Sequence, residues 1–333
     1  MAGCASGSCQ VPLTNRNDKR KEFETDPRNA RETCQGLRDD LFGIAQRYFD
    51  VAPDLVRIEE NLHDAWDELI HAAKILPAGD AEHDRLITLV HEVRELGDSV
   101  RTTQDDVATL SNGKRLWTDL PFLADEIFDS WIKESAVFTS AERASLAVLS
   151  SKLCATGICA PEMARCALWL FREALETEKP GAHIINMLPA CLEWLRHSNI
   201  KIVKWCAENS APLSHKEDKI VTSPGPLAAG INVLGEGFSV ARWLFWRQRL
   251  GELYTHGNGD MARLSRACFE QMINTGSLVG IDIPGEKRYL ANIFKALDAE
   301  LASRGFKGSV GAEDIEIDPS WVAEDLADRQ MVE

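Results

Sequence analysis

Two Glu-x-x-His pairs, Glu60 with His63 and Glu68 with His71, have the plainest spacing for chemistry in this chain. Residues three apart project from one side of a helix, and di-iron bundles hold metal with one such pair from each of two facing helices. Here both pairs lie on a single helical stretch, so a second helix would have to supply the missing carboxylates. At about 100° per residue, His63, Asp67 and His71 align with one another but stand about 100° to 180° from Leu62, the centre of the apolar stripe. The spacing predicts a solvated polar face rather than a metal centre.

Two His-Asp dipeptides, His63-Asp64 and His83-Asp84, point to a second chemistry. Helical phosphohydrolases of the His-Asp type use such groups around divalent metal, which activates water for attack on phosphorus. The spacing here is short, and His83 lies in the first turn of its helix, where Asp84 suits the positive end of the helix dipole. A phosphohydrolase-like metal enzyme, acting on a small molecule between helices, is therefore the alternative reading. Cys154-x4-Cys159 with Cys166 offers three thiolates, and His183 a fourth ligand. Zinc motifs pair two close-spaced knuckles, whereas one loose pair stands here, and Cys166 beside Leu168 and Trp169 reads as a buried thiol. Cys4-x4-Cys9 belongs to an N-terminal arm with no core around it. Gly225, Gly230, Gly235 and Gly237 match neither phosphate-loop nor dinucleotide fingerprints. No metal and no cofactor is expected.

The 333 residues include 37 Lys plus Arg against 52 Asp plus Glu, a formal net charge of −15. Such a surface repels phosphate backbones and anionic lipid, which makes nucleic acid an unfavourable partner. Lys19-Arg20-Lys21 reads as a solvated cluster rather than a nuclear-localisation signal. Nine cysteines, an odd number spread through apolar segments, suggest buried free thiols. The start, Met1-Ala2-Gly3-Cys4, has neither a secretory pattern nor the glycine that myristoylation requires. No apolar run reaches the roughly 18 residues that span a bilayer. The expectation is an intracellular protein, cytoplasmic rather than nuclear, with no membrane association.

Hydrophobic residues recur at three- and four-residue steps through most of the chain, and no sustained alternation marks a strand. The prediction is an all-α fold of about eleven helices in an irregular array. Residues 1–25 read as a disordered arm, 26–208 as a helical region opened by Asp26-Pro27, and 209–237 as a loop or linker rich in Ser, Pro and Gly. A C-terminal helical region covers 238–305, and 306–333 form an acidic tail whose single aromatic is Trp321. Within this plan Ile58, Leu62, Trp66 and Leu69 line the second helix, and Asp80 caps the third. Residues 98–116 read as a long loop. Thr139 and Glu142 form a capping box closed downstream by Gly157. Pro189 is expected to kink or split a helix over 184–197, with another over 200–208.

The densest aromatic stretch follows the linker. Ser239 has the character of an N-cap, with Phe238 stapling onto Trp243. Trp243, Trp246, Leu250, Leu253 and Tyr254 fall on one face, while Phe245 projects from the opposite side. Phe238, Trp243, Phe245 and Trp246 are thus the candidate hub, for packing or for interaction.

Four segments resemble, in order, a fungal family catalogued only as a domain of unknown function. They are Trp66-Asp-Glu-Leu, His83 through Arg94, Trp117-Thr-Asp-Leu-Pro-Phe, and Gly237 through Arg247. The most specific pattern is Phe-Ser-x-x-Arg-Trp-x-x-Trp, here Phe238, Ser239, Arg242, Trp243 and Trp246, and the likeness spans roughly residues 45 to 300. The resemblance implies a fungal, intracellular, all-helical protein and brings no activity or catalytic residues. Two function classes follow: a non-catalytic interaction or scaffold protein with a protein partner or a second copy of itself, and the metal-dependent enzyme as its alternative.

Overall fold

The computed structural model describes residues 29–48, 54–101, 106–211, 219–311 and 314–315. The Asp26-Pro27 helix start, Cys4, Cys9, the basic cluster and Trp321 lie outside these residues. Among the described residues the fold is all-α, with a single short antiparallel hairpin. The chain divides into two compact units, Met1–Leu149 and Ser150–Glu333. The Ser-, Pro- and Gly-rich segment 209–237 lies inside the second of them.

In the first unit, α1 (Asn29–Tyr48), α2 (Leu55–Ile75) and α3 (Glu82–Glu95) pack on one another. Asp54 caps α2 by accepting from the Arg57 backbone N–H at 3.3 Å. Ile58, Leu62, Trp66 and Leu69 are buried along α2, so its apolar spacing becomes its packing face. Asp80 accepts from the Glu82 N–H at 2.9 Å at the start of α3. The segment expected to be a long loop contains β1 (Val100–Arg101) paired with β2 (Asp106–Val107), and a bridge between Thr109 and Arg115. It is pinned by Tyr48, whose hydroxyl exchanges hydrogen bonds with both the N–H and the carbonyl of Thr109 at 2.9 Å. Strands of two residues carry no alternating run, so periodicity did not mark this hairpin. α4 (Leu123–Asp129) continues into a π turn that buries Trp131.

The division between units falls within α5 (Ser140–Thr156). Its capping box is formed: Thr139 Oγ1 accepts from the Glu142 N–H at 3.2 Å, and the Glu142 carboxylate accepts from the Thr139 N–H at 2.6 Å. Gly157, at φ +90°, ends the helix in the left-handed conformation that glycine adopts without strain.

The second unit contains α6 (Ala160–Phe171), a π turn (Arg172–Glu176) and α7 (Gly181–Ala207). α7 is one continuous helix through Pro189, where a kink or a split into two helices is expected from sequence. A proline costs about 3 kcal/mol inside a helix. Burial of Met187, Leu188, Leu192, Trp194, Leu195 and Ile202 at about 1.5–3 kcal/mol each outweighs that. Two single turns follow, α8 (Lys219–Thr222) and α9 (Pro226–Ala229). Then come α10 (Val240–His256), α11 (Gly259–Met272), a further turn α12 (Thr275–Leu278) and α13 (Glu286–Ser303). α10 and α7 both pack on α11 and on each other. Beyond α13, Arg304 bonds Asp314 at 3.0 Å, and Arg266 of α11 donates to the Ile315 carbonyl at 2.9 Å.

Candidate functional site

The aromatic hub is built around an ion pair. Glu176, the last residue of the π turn after α6, and Arg242, in the first turn of α10, are both fully buried. Arg242 Nε donates to Glu176 Oε1 at 2.5 Å and Nη2 to Oε2 at 2.9 Å, a bidentate fork. Its remaining N–H groups reach main-chain carbonyls: Thr222 at 2.8 Å and Gly237 at 2.7 Å from Nη1, and Ser223 at 3.3 Å from Nη2. The carboxylate is equally occupied. Trp246 Nε1 donates to Oε1 and the Gly225 N–H to Oε2, each at 2.6 Å. Burying a charge is tolerated only when its hydrogen bonds are met, and here the five guanidinium donors and both carboxylate oxygens are engaged.

The surrounding rings close the centre against water. Phe171 stacks on Trp246 with centroids 4.8 Å apart, and Phe238 meets Trp205 at 5.3 Å and Trp246 edge-on at 6.3 Å. The ring partners of Phe238 are thus Trp205 and Trp246, where the staple is expected on Trp243. Ser239 Oγ accepts from the Arg242 N–H at 3.1 Å, the N-cap bond expected of it. Trp243 and Trp246 are fully buried. Phe245 is 6% exposed, so this residue is no surface anchor, and it stands within an unbroken run of buried residues from Arg242 to Arg247.

This geometry gives the Ser-Pro-Gly segment a role that composition alone left open. Thr222, Ser223, Gly225 and Gly237 are all tied to the pair, so part of the expected linker is a strap over the centre. A Cβ on Gly225 would lie 2.7 Å from both the Cβ and the carbonyl oxygen of Glu176. Gly225→Ala is accordingly expected to destabilise the protein by about 1–3 kcal/mol through overpacking, read as a lowered urea midpoint with helix content unchanged at zero denaturant. A midpoint equal to that of the parent would show that the strap is not held so closely.

A smaller arrangement in the first unit joins two other segments that carry the family likeness. Trp66 Nε1 donates to the Pro121 carbonyl at 2.9 Å, inside the turn Trp117–Phe122. Leu120 and Phe122 take φ of +43° and +69° there, which costs energy for residues other than glycine. Next to that turn the histidine reading changes. His63 Nδ1 is 2.5 Å from Glu126 Oε1 of α4, and its ring lies 4.2 Å from Phe122. His71 is buried and His83 fully so. The polar face expected from α2 periodicity is therefore in part a contact face: His63 meets Glu126 of α4 and Phe122, and His71 is buried, while Asp64 stays exposed. The Glu60–His63 and Glu68–His71 pairs are not brought into one cluster. Among the described residues no three His, Cys, Asp or Glu side chains are grouped to hold a metal ion.

Cys154, Cys166, Cys191, Cys206 and Cys268 are free and buried. Burial pushes the Cys154 thiol up to about 11 and those of Cys191, Cys206 and Cys268 well above their ordinary value. These thiols are protonated at neutral pH and poor nucleophiles.

Sequence reasoning missed Glu176 at the heart of the centre, and with it Phe171, Trp205 and the strap residues Thr222, Ser223 and Gly225. Glu176 ends a helix just before Thr177-Glu178-Lys179, where a carboxylate reads as solvated. The available signal was Arg242 itself: an arginine among aromatics in a buried helix requires a buried acceptor. With 52 acidic residues in the chain, that signal does not say which.

A carboxylate this fully coordinated and shut off from solvent has no free lone pair for a substrate. The fold and this centre define an all-helical protein whose most specific sequence pattern serves its architecture. The chain belongs to the family described as protein of unknown function (DUF3632), whose profile matches residues 66–250. That span includes Trp66, the Trp117 turn, Glu176 and the whole Phe238–Trp246 pattern. The chain is also 25% identical over 289 residues to a Penicillium oxalicum protein named oxopyrrolidines biosynthesis cluster protein G, covering 78% of this chain and 76% of that one. No solved structure matches. No helix among the described residues is long and apolar enough to cross a membrane.

Proposed function

We propose that this chain is a non-catalytic interaction protein that associates through α13 and serves a biosynthetic route. The observation that carries the reading is the apolar stripe of α13. Leu290, Ile293, Leu297 and Leu301 share one face but are only half-buried, Phe294 beside them is 60% exposed, and within the helix only Glu286 and Tyr289 are buried. A stripe of this length left half-open is a contact surface in search of a partner. The family pattern around Arg242 is a packing device rather than a reaction centre, which also favours association. The relative's name places that protein in a biosynthesis cluster, and this chain is read as serving such a route as well. The net charge of −15 disfavours nucleic acid and anionic membrane as partners. The place of action is read as inside the cell, in the cytoplasm rather than the nucleus.

The occupant that fits the stripe is a second copy of the chain. Lys287 and Asp298 border it on the same side, about 60° and 80° round from Leu290 at 100° per residue. A two-fold axis laid across two antiparallel helices brings each flank against itself, so Lys287 of one protomer meets Asp298 of the other, twice. Light scattering of the full chain during size exclusion should report a dimer. Lys287→Asp should shift it towards monomer, and Lys287→Asp with Asp298→Lys should restore the dimer. A monomer at every concentration, or a charge swap without rescue, would overturn this mode of association.

A further inference from the structure

We infer that Asn258, in the junction between α10 and α11, is a site of self-modification: attack by the Gly259 backbone nitrogen removes its side-chain amide and leaves aspartate or isoaspartate. The sequence has two Asn-Gly pairs, Asn112-Gly113 and Asn258-Gly259. In both, glycine puts no side chain in the way of attack on the asparagine Cγ, and the space where one would stand is open. Both asparagines are exposed. Hydrogen bonding is what separates them. The Gly113 N–H donates to the Leu110 carbonyl at 3.0 Å, and Asn112 Oδ1 accepts from the Lys114 N–H at 2.9 Å. Nucleophile and target are both held in that turn. At the α10–α11 junction neither is held. Asn258 has extended backbone, at φ −122° and ψ +157°, and stands before α11 with no capping bond from its side chain. The Gly259 N–H, the first donor of the helix, has no acceptor among the described residues. The bond that must open runs from the Met261 N–H to the Asn258 carbonyl at 3.1 Å, in a first turn where helices fray.

The step needs only water and base. Hydroxide takes the Gly259 amide proton, the nitrogen forms a bond to Asn258 Cγ, and the side-chain amide leaves as ammonia with a proton from water. Water then opens the cyclic imide. Cleavage between Cγ and nitrogen gives aspartate. Cleavage of the original peptide bond gives isoaspartate, whose main chain runs through Cγ and is one carbon longer. Either product adds a negative charge beside the first turn of α11, where Asp260 already stands. The modification does not depend on association through α13.

Incubation of the full chain at mildly alkaline pH, followed by peptide mass spectrometry, tests the site. Asn258 should convert about 10-fold faster than Asn112, the factor expected from the two hydrogen bonds that hold the latter. Its rate should rise in proportion to hydroxide, and part of the product should resist a protease that cuts before aspartate. Asn258→Ser keeps a capping residue and has no amide to lose. That variant should lack the acidic form that separates first on anion exchange, with Asn112 unchanged. An Asn258 that converts no faster than Asn112, or an early acidic form that survives Asn258→Ser, would overturn the assignment.

Discussion

Glu176→Ala is expected to destabilise the protein by about 3–5 kcal/mol, since it leaves the Arg242 charge buried with two of its five donors unpaired. The loss is large because the pair is fully enclosed and its partners have no water to fall back on. Trp246 and the Gly225 N–H lose their acceptor in the same step. Denaturant unfolding followed by tryptophan fluorescence reads the effect, as Trp246 touches the pair directly. Replacing both partners, Glu176→Leu with Arg242→Met, should cost less than Glu176→Ala alone, because no uncompensated charge remains. A single variant that unfolds with the parent would mean that the pair contributes nothing to the stability of the second unit.

Trp243→Ala should cost a similar amount, about 3–5 kcal/mol, by removing a large ring and leaving a cavity among α10's neighbours. Phe245→Ala belongs in the same range, although it points away from Trp243 by about 160°. On a surface helix that opposite face would be solvated and truncation nearly neutral. Here Trp243 is fully buried and Phe245 is 6% exposed, so both faces of the helix lose packing. Thermal or denaturant midpoints of the two variants decide the matter. Should Phe245→Ala stay within about 0.5 kcal/mol of the parent, its ring would belong to the surface, and the enclosure of α10 would be wrong.

The sequence carried the helical fold because apolar spacing, caps and breakers act locally. Ser239, the Thr139–Glu142 box and Gly157 end their helices by bonds to residues three or four positions away, and such bonds depend on nothing distant. Phe238, Trp243 and Trp246, marked by their spacing as core residues, are buried for the same local reason. The π turn and the unbroken α7 were not legible, since each is a local cost outweighed by burial against other helices.

What the sequence determined by itself was therefore the all-helical class and most helix ends among the described residues. Tertiary structure alone decided the partners: Glu176 for Arg242, 66 residues away in the chain, and Pro121 for Trp66 at a separation of 55. It also buried His71 and set His63 against Glu126, and made a strap of the glycines at 225 and 237. The physical reason is common to all of these. Hydrogen bonds and ion pairs in a core are chosen by which groups are shut away from water together, and periodicity along one helix does not say which distant carboxylate, carbonyl or ring will cover it.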